Sequence, residues 1–252
     1  MKKNCHAILI AFLFSCIFPK TIYCQDNQNQ AQYYNWFDEL VGVENTELYN
    51  GIVYVEKYRT INSKTKFFNS PSFLQGSITY YGQKFYGLQI KYDVFEDQIL
   101  LKLEDRLGGN TIQLFKNRIT DFRIDGHEFI RIEEKLGKKL VISGFHEVAF
   151  EGPLFTLFIK HKKKDFDRKD RRSLYYEFIN SKNGYLLWYN NSYAVIDSKK
   201  DVSTIFPELK REIDNFYSIA RSLRNSDLDS FMKSLMKRVE ILKSQTNNAI
   251  TE

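Results

Sequence analysis

The chain has 252 residues, 43% hydrophobic and 27% charged, with a formal net charge of +6 and three cysteines. All three cysteines (Cys5, Cys16, Cys24) lie in the first 24 residues, so the remainder offers no disulfide framework, thiolate nucleophile or cysteine metal site. Lys2, Lys3 and Lys20 fall in the same segment, which has no acidic residue; without it the net charge drops from +6 to about +3, too little to argue for nucleic acid.

Met1-Lys2-Lys3 is a short positive start, followed by an apolar run over 7–18 and then by Pro19-Lys20. That order is the pattern of a secretory signal peptide over 1–24, cleaved between Cys24 and Gln25. The run is about 12 residues against the ~20 a bilayer span needs, so no transmembrane span is expected in the mature chain. Leu13-Phe14-Ser15-Cys16 loosely resembles a lipobox, which makes a lipoprotein the minority alternative. The expected setting is secreted or periplasmic, with outer-membrane association.

Residues 25–50 form a polar lead-in, Gln- and Asn-rich over 25–35 and expected to be irregular. From 51 to 197 a period-2 alternation dominates. Tyr86, Leu88, Ile90 and Tyr92 share one face, and Ile99, Leu101 and Leu103 share another. Alternation of this kind is typical of antiparallel strands with one wet face. About ten to twelve strands are expected, near 51–58, 74–81, 84–93, 96–103, 111–116, 119–125, 127–133, 145–150, 154–161, 173–180, 184–190 and 192–197. Gly82-Gln83, Asp125-Gly126, Asn183-Gly184 and Asn190-Asn191 are turn signals that link them as a meander.

The pattern switches to a helical period at Ser198. Ser198-Lys199-Lys200-Asp201 starts a short helix, Pro207 opens a second running to about 224, and Ser226-Asp227-Leu228-Asp229 caps a third. Residues 198–245 are expected to pack on the sheet within the same domain, with a frayed tail over 246–252. The fold class is therefore α+β, mainly β: an antiparallel meander forming a curved sheet or partly closed barrel, with two to three C-terminal helices packed on it.

Catalytic signatures are weak. His146-Glu147-Val148-Ala149-Phe150 has only half of a zinc-protease helix motif and sits in a strand. His127 and His161 lie on other strands, so no metal site is expected. Glu133-Glu134 and Asp38-Glu39 are neighbours that project to opposite faces and cannot share one bond. No cofactor and no catalytic residue are assigned. Two binding signals remain. Residues 160–172 hold eight Lys/Arg against three Asp and should loop out of the sheet, offering Lys162, Lys163, Lys164, Arg168, Arg171 and Arg172 to an anion. The last hairpins are dense in aromatics, with Tyr185, Trp188, Tyr189 and Tyr193 as a candidate stacking surface.

Two blocks carry a resemblance. One runs from Gly76-Ser77-Ile78-Thr79-Tyr80-Tyr81-Gly82-Gln83 through Lys91-Tyr92-Asp93-Val94-Phe95-Glu96-Asp97-Gln98-Ile99. The other runs from Tyr185-Leu186-Leu187 through Ser198-Lys199-Lys200-Asp201 to Ile205-Phe206-Pro207-Glu208. Both resemble a family of uncharacterised secreted β-rich proteins common in Bacteroidota. The resemblance implies an envelope or secreted setting and carries over no catalytic residue.

The leading functional expectation is a non-catalytic secreted or periplasmic envelope protein that binds a protein partner or an amphiphilic or anionic ligand such as an anionic glycolipid. The alternative is a secreted hydrolase of glycans or peptides. Its site would gather His127, His146, Glu147 or Glu177 from distant strands into one cleft.

Overall fold

The computed structural model describes residues 26–42, 45–61, 63–103, 110–136, 140–169 and 172–250; the expected signal peptide lies outside these. Where the Gln- and Asn-rich composition suggests an irregular lead-in, helix α1 runs over Asp26–Val41. Straight-chain Gln costs a helix little, and no Pro or Gly interrupts the segment. Helix α1 belongs to one compact unit, and Gly42–Glu252 form the other.

Among its described residues the second unit holds thirteen strands. They are β1 (Gly51–Val53), β2 (Leu74–Tyr80), β3 (Gln83–Asp93), β4 (Gln98–Lys102), β5 (Thr111–Leu114), β6 (Ile119–Ile124), β7 (His127–Leu136), β8 (Leu140–Glu151), β9 (Phe155–Lys160), β10 (Lys163–Lys169), β11 (Leu174–Asn180), β12 (Gly184–Tyr189) and β13 (Ser192–Val195). Eleven of them form one antiparallel sheet in the order β1-β5-β4-β3-β2-β6-β7-β8-β9-β12-β13, curved but not closed. It is two meanders meeting at β2. One runs β2 to β5 in one direction; the chain then returns so that β6 pairs with the free side of β2.

Turn chemistry explains three hairpins and corrects a fourth. Asp125 and Gly126 both have positive φ, as a type I′ turn requires, and Ile124 faces His127 across it. Asn190 and Asn191 do the same between β12 and β13. The β2–β3 turn is centred on Tyr81-Gly82, both at positive φ, rather than on Gly82-Gln83. Asn183-Gly184 makes no hairpin, because β12 pairs with β9 and β11 pairs with β10. The basic segment is likewise not a loop. Lys163–Lys169 is a strand, paired with Leu174–Asn180 in a separate two-stranded ribbon inserted between β9 and β12.

The sheet curls enough for the β3–β4 turn to meet β8 and β9. Asp97 Oδ2 accepts from Lys160 Nζ at 2.7 Å, Lys116 Nζ at 2.5 Å and the Phe145 amide at 3.4 Å. Burial alone would raise this carboxyl's pKa, but Lys160 and Lys116 hold it below the usual range. Gly144 permits the approach. It sits at φ +96, and a Cβ there would stand 1.9 Å from Asp97 Oδ2.

Four helices follow the sheet: α2 (Lys199–Ile205), α3 (Lys210–Ile219), α4 (Arg221–Ser226) and α5 (Leu228–Ile250). Ser198 and Asp201 form the expected reciprocal capping box. The expected second helix is broken at Ala220, and the third runs on through the expected frayed tail to Ile250. Phe231, Leu235 and Met236 of α5 are fully buried in one cluster with Leu157, Ile159 and Leu187 of the sheet, and Phe216 and Tyr217 pack against it half-buried. These contacts place sheet and helices in one compact unit.

Candidate functional site

Register on three neighbouring strands builds the site. Glu147 on β8 faces Phe129 of β7 and Ile159 of β9. His127 lies two residues before Phe129, and His161 two residues after Ile159. The period of two puts both on the face of Glu147, as its diagonal neighbours. Glu147 Oε1 is 2.9 Å from His127 Nδ1, and Oε2 is 2.6 Å from His161 Nε2. Lys233, one turn into α5, reaches over from the helix layer and donates to Oε1 at 3.0 Å. Phe68 packs against both imidazoles at 5.1 Å between centroids, fixing the ring planes.

Glu147 is only 4% exposed. Burial would raise its pKa, but the hydrogen bonds from His161, His127 and Lys233 outweigh burial and bring it down to about 2. The carboxylate is therefore ionised at any ordinary pH and accepts from three donors.

A second polar layer backs the first. Asn183 Nδ2 donates to Asp229 Oδ2 at 2.9 Å and lies 3.3 Å from His161 Nδ1, while its Oδ1 accepts from the Lys162 amide at 3.1 Å. With Nε2–H given to Glu147, His161 Nδ1 is the acceptor, so both ring nitrogens are engaged. Tyr185 donates to Asp229 Oδ1 at 2.5 Å, and Asp227 caps α5 through the Ser230 amide at 2.9 Å. Lys163 Nζ donates to the carbonyls of Thr65 and Phe67 at 2.7 and 2.6 Å, tethering the segment before β2.

Together these groups line a cavity of about 730 Å³, whose wall includes His127, Glu147, His161, Lys162, Asn183 and Lys233, with Phe67, Phe68 and Phe178 as its apolar part. Glu147, Asp227 and Asp229 are all engaged internally. Lys162 Nζ and His127 Nε2 make no hydrogen bond among the described residues. No group of three metal-ligating side chains occurs there either.

The remaining sequence candidates are dispersed. Lys164 is exposed on the ribbon, and Arg168 pairs with Glu177 at 3.5 Å. Glu177 also binds Lys64, which lines the cavity, but Glu177 itself lies on the ribbon and is not part of the wall. Arg172 lies in the turn of the ribbon, and Arg171 lies outside the described residues. His146 is buried beside Glu147 in sequence but on the opposite face of β8, its Nδ1 3.0 Å from the Gly144 carbonyl. The four aromatics do not form one stacking surface. Tyr185 is 3% exposed, and Tyr189 packs on Phe206 under the helices, whereas Trp188 and Tyr193 pair on the other face at 4.5 Å. Alternation along β12 separates them.

Sequence reasoning named His127 and Glu147 for one cleft, but it left out His161 and included His146 and Glu177, which lie elsewhere. The available signal was phase: each polar residue continues an apolar file, of Phe129, Phe145 and Ile159 respectively. No protein-family model, curated protein or solved structure matches the chain.

Proposed function

We propose that the protein is a secreted or periplasmic envelope protein that binds an anionic ligand, such as the phosphate of an envelope glycolipid, in the cavity between β7–β9 and α5. One observation carries this reading. Every carboxylate in the wall is satisfied by neighbouring donors, whereas the exposed Lys162 ammonium has no partner among the described residues. A ligand that brings negative charge meets unused donor capacity without displacing an internal ion pair. The apolar wall of Phe67, Phe68 and Phe178 suits the hydrocarbon or ring portion of an amphiphile.

The test is titration with a phosphate-bearing glycolipid and, separately, with inorganic phosphate. Wild type should bind the glycolipid, and more weakly as salt rises, since charges are screened over ~8–10 Å near physiological ionic strength. Lys162→Gln should weaken binding by about tenfold, equivalent to ~1.4 kcal/mol. Binding of inorganic phosphate alone would assign the site to a free anion. Binding of neither, or affinity independent of Lys162, would refute the reading. The compartment is checked by mass spectrometry of protein from its native host, which should find a chain beginning near Gln25. Intact Met1 would rule secretion out, and an acylated Cys16 would establish the lipoprotein form.

A further inference from the structure

We propose that the cavity hydrolyses an ester bond in its bound ligand with His127 Nε2 as general base, an inference that rests on the anion-binding reading. Three histidines lie among the described residues, and they are not equivalent. His161 has both nitrogens engaged, by Glu147 and Asn183. His146 is 4% exposed and faces away from Glu147. His127 alone combines a carboxylate on Nδ1, at 2.9 Å, with an Nε2 that has no hydrogen bond among the described residues, on a ring that lines the cavity. With Nδ1–H given to Glu147, the lone pair resides on Nε2. The carboxylate fixes that tautomer and stabilises the imidazolium when it forms, while Phe68 locks the ring edge-on at 5.1 Å.

The bond type follows from what the wall lacks. Glycoside hydrolysis uses two carboxyl groups, one of which gives up a proton. Glu147 is held ionised by three donors, and the carboxylates of Asp227 and Asp229 already accept from Ser230, Asn183 and Tyr185, so the wall offers no free pair of carboxyl groups. An imidazole–carboxylate pair needs only water and an acyl group. Water gives a proton to Nε2 as its oxygen bonds to the ester carbonyl carbon. The tetrahedral intermediate then breaks its bond to the alkoxy oxygen, which takes the proton back from the imidazolium. One ester and one water become one carboxylic acid and one alcohol. Lys162 and Lys233 share the wall and favour the negative charge that develops on the carbonyl oxygen.

The probe is p-nitrophenyl hemisuccinate, an ester with its own negative charge, run beside the glycolipid titration. Wild type should release p-nitrophenol faster than buffer, with saturation. His127→Gln, which keeps a donor for Glu147, should lower kcat by ~10²–10⁴-fold. In wild type, diethylpyrocarbonate should modify His127 before His161 and His146, a readout independent of any variant's folding. Glycolipid binding without ester turnover above buffer would overturn the hydrolytic proposal and leave the binding reading standing. So would full activity in His127→Gln, or prior modification of His161 or His146. Ester turnover without glycolipid binding would overturn the glycolipid as ligand instead.

Discussion

His161 Nε2 lies 2.6 Å from Glu147 Oε2, one strand away in the sheet and 14 residues away in sequence. That bond and its counterpart from His127 hold a nearly buried carboxylate ionised, and they tie the stability of the protein to the charge of one side chain. The folded-state pKa of Glu147 is about 2 against an ordinary 4.5. A depressed carboxylate contributes stability that is present above pH 4.5 and lost as pH falls towards 2. The contribution is on the order of 3 kcal/mol. Denaturant melts across this range should show the loss in wild type, and Glu147→Gln should abolish the dependence in that window. The variant should also be less stable at neutral pH by about 3 kcal/mol, since three donors lose their acceptor.

His146 sets a separate window. Burial lowers its pKa to about 4 from 6.5, with the nearby Lys160 acting in the same direction. The unfolded chain therefore binds this proton first. Stability is fully present above pH 6.5 and declines as pH falls to 4, by roughly 3 kcal/mol in total. His146→Gln should flatten the curve between these values while leaving the lower window of Glu147 in place. An unchanged slope in the variant would contradict the buried, neutral histidine.

The helices should unfold with the sheet. Phe231 has no exposed surface and packs against Phe216 at 5.5 Å and Tyr217 at 4.9 Å. Phe231→Ala should cost ~3–5 kcal/mol, read as a single shifted denaturant transition. A variant as stable as wild type would mean that the helices are an appendage.

Lys163 should guard the tether before β2. Its two charge-assisted bonds to the carbonyls of Thr65 and Phe67 hold one wall of the cavity. Lys163→Met should raise the rate of proteolytic nicking near residues 63–69 with little change in global stability. Equal nicking rates would show that the segment is held by other contacts.

Much of the fold was legible in the sequence because alternation and turn chemistry are local. Ile78, Tyr80, Ile90 and Tyr92 are fully buried as their phase requires, and Asp125-Gly126 turns as its residue types demand. The pairing of β2 with β6 was not legible, since strand order depends on contacts remote in sequence. Nor was the true role of Asn183. Its sequence context is that of a turn, but its side chain joins β12 to α5 through Asp229. The basic segment showed its charge but hid its strand, because Lys163, Asp165 and Asp167 have no apolar alternation to report. The site itself is made by register, and a sequence does not state which residues of β7, β8 and β9 stand side by side.

The cavity as the anion site is tested most directly by nuclear magnetic resonance of the histidine rings and backbone amides during titration with a phosphate-bearing glycolipid. Saturating shifts should centre on His127, His161, Lys162 and Lys233. Shifts confined to the exposed ribbon residues Lys164 and Arg168, or to Trp188 and Tyr193, would place binding elsewhere and contradict the account.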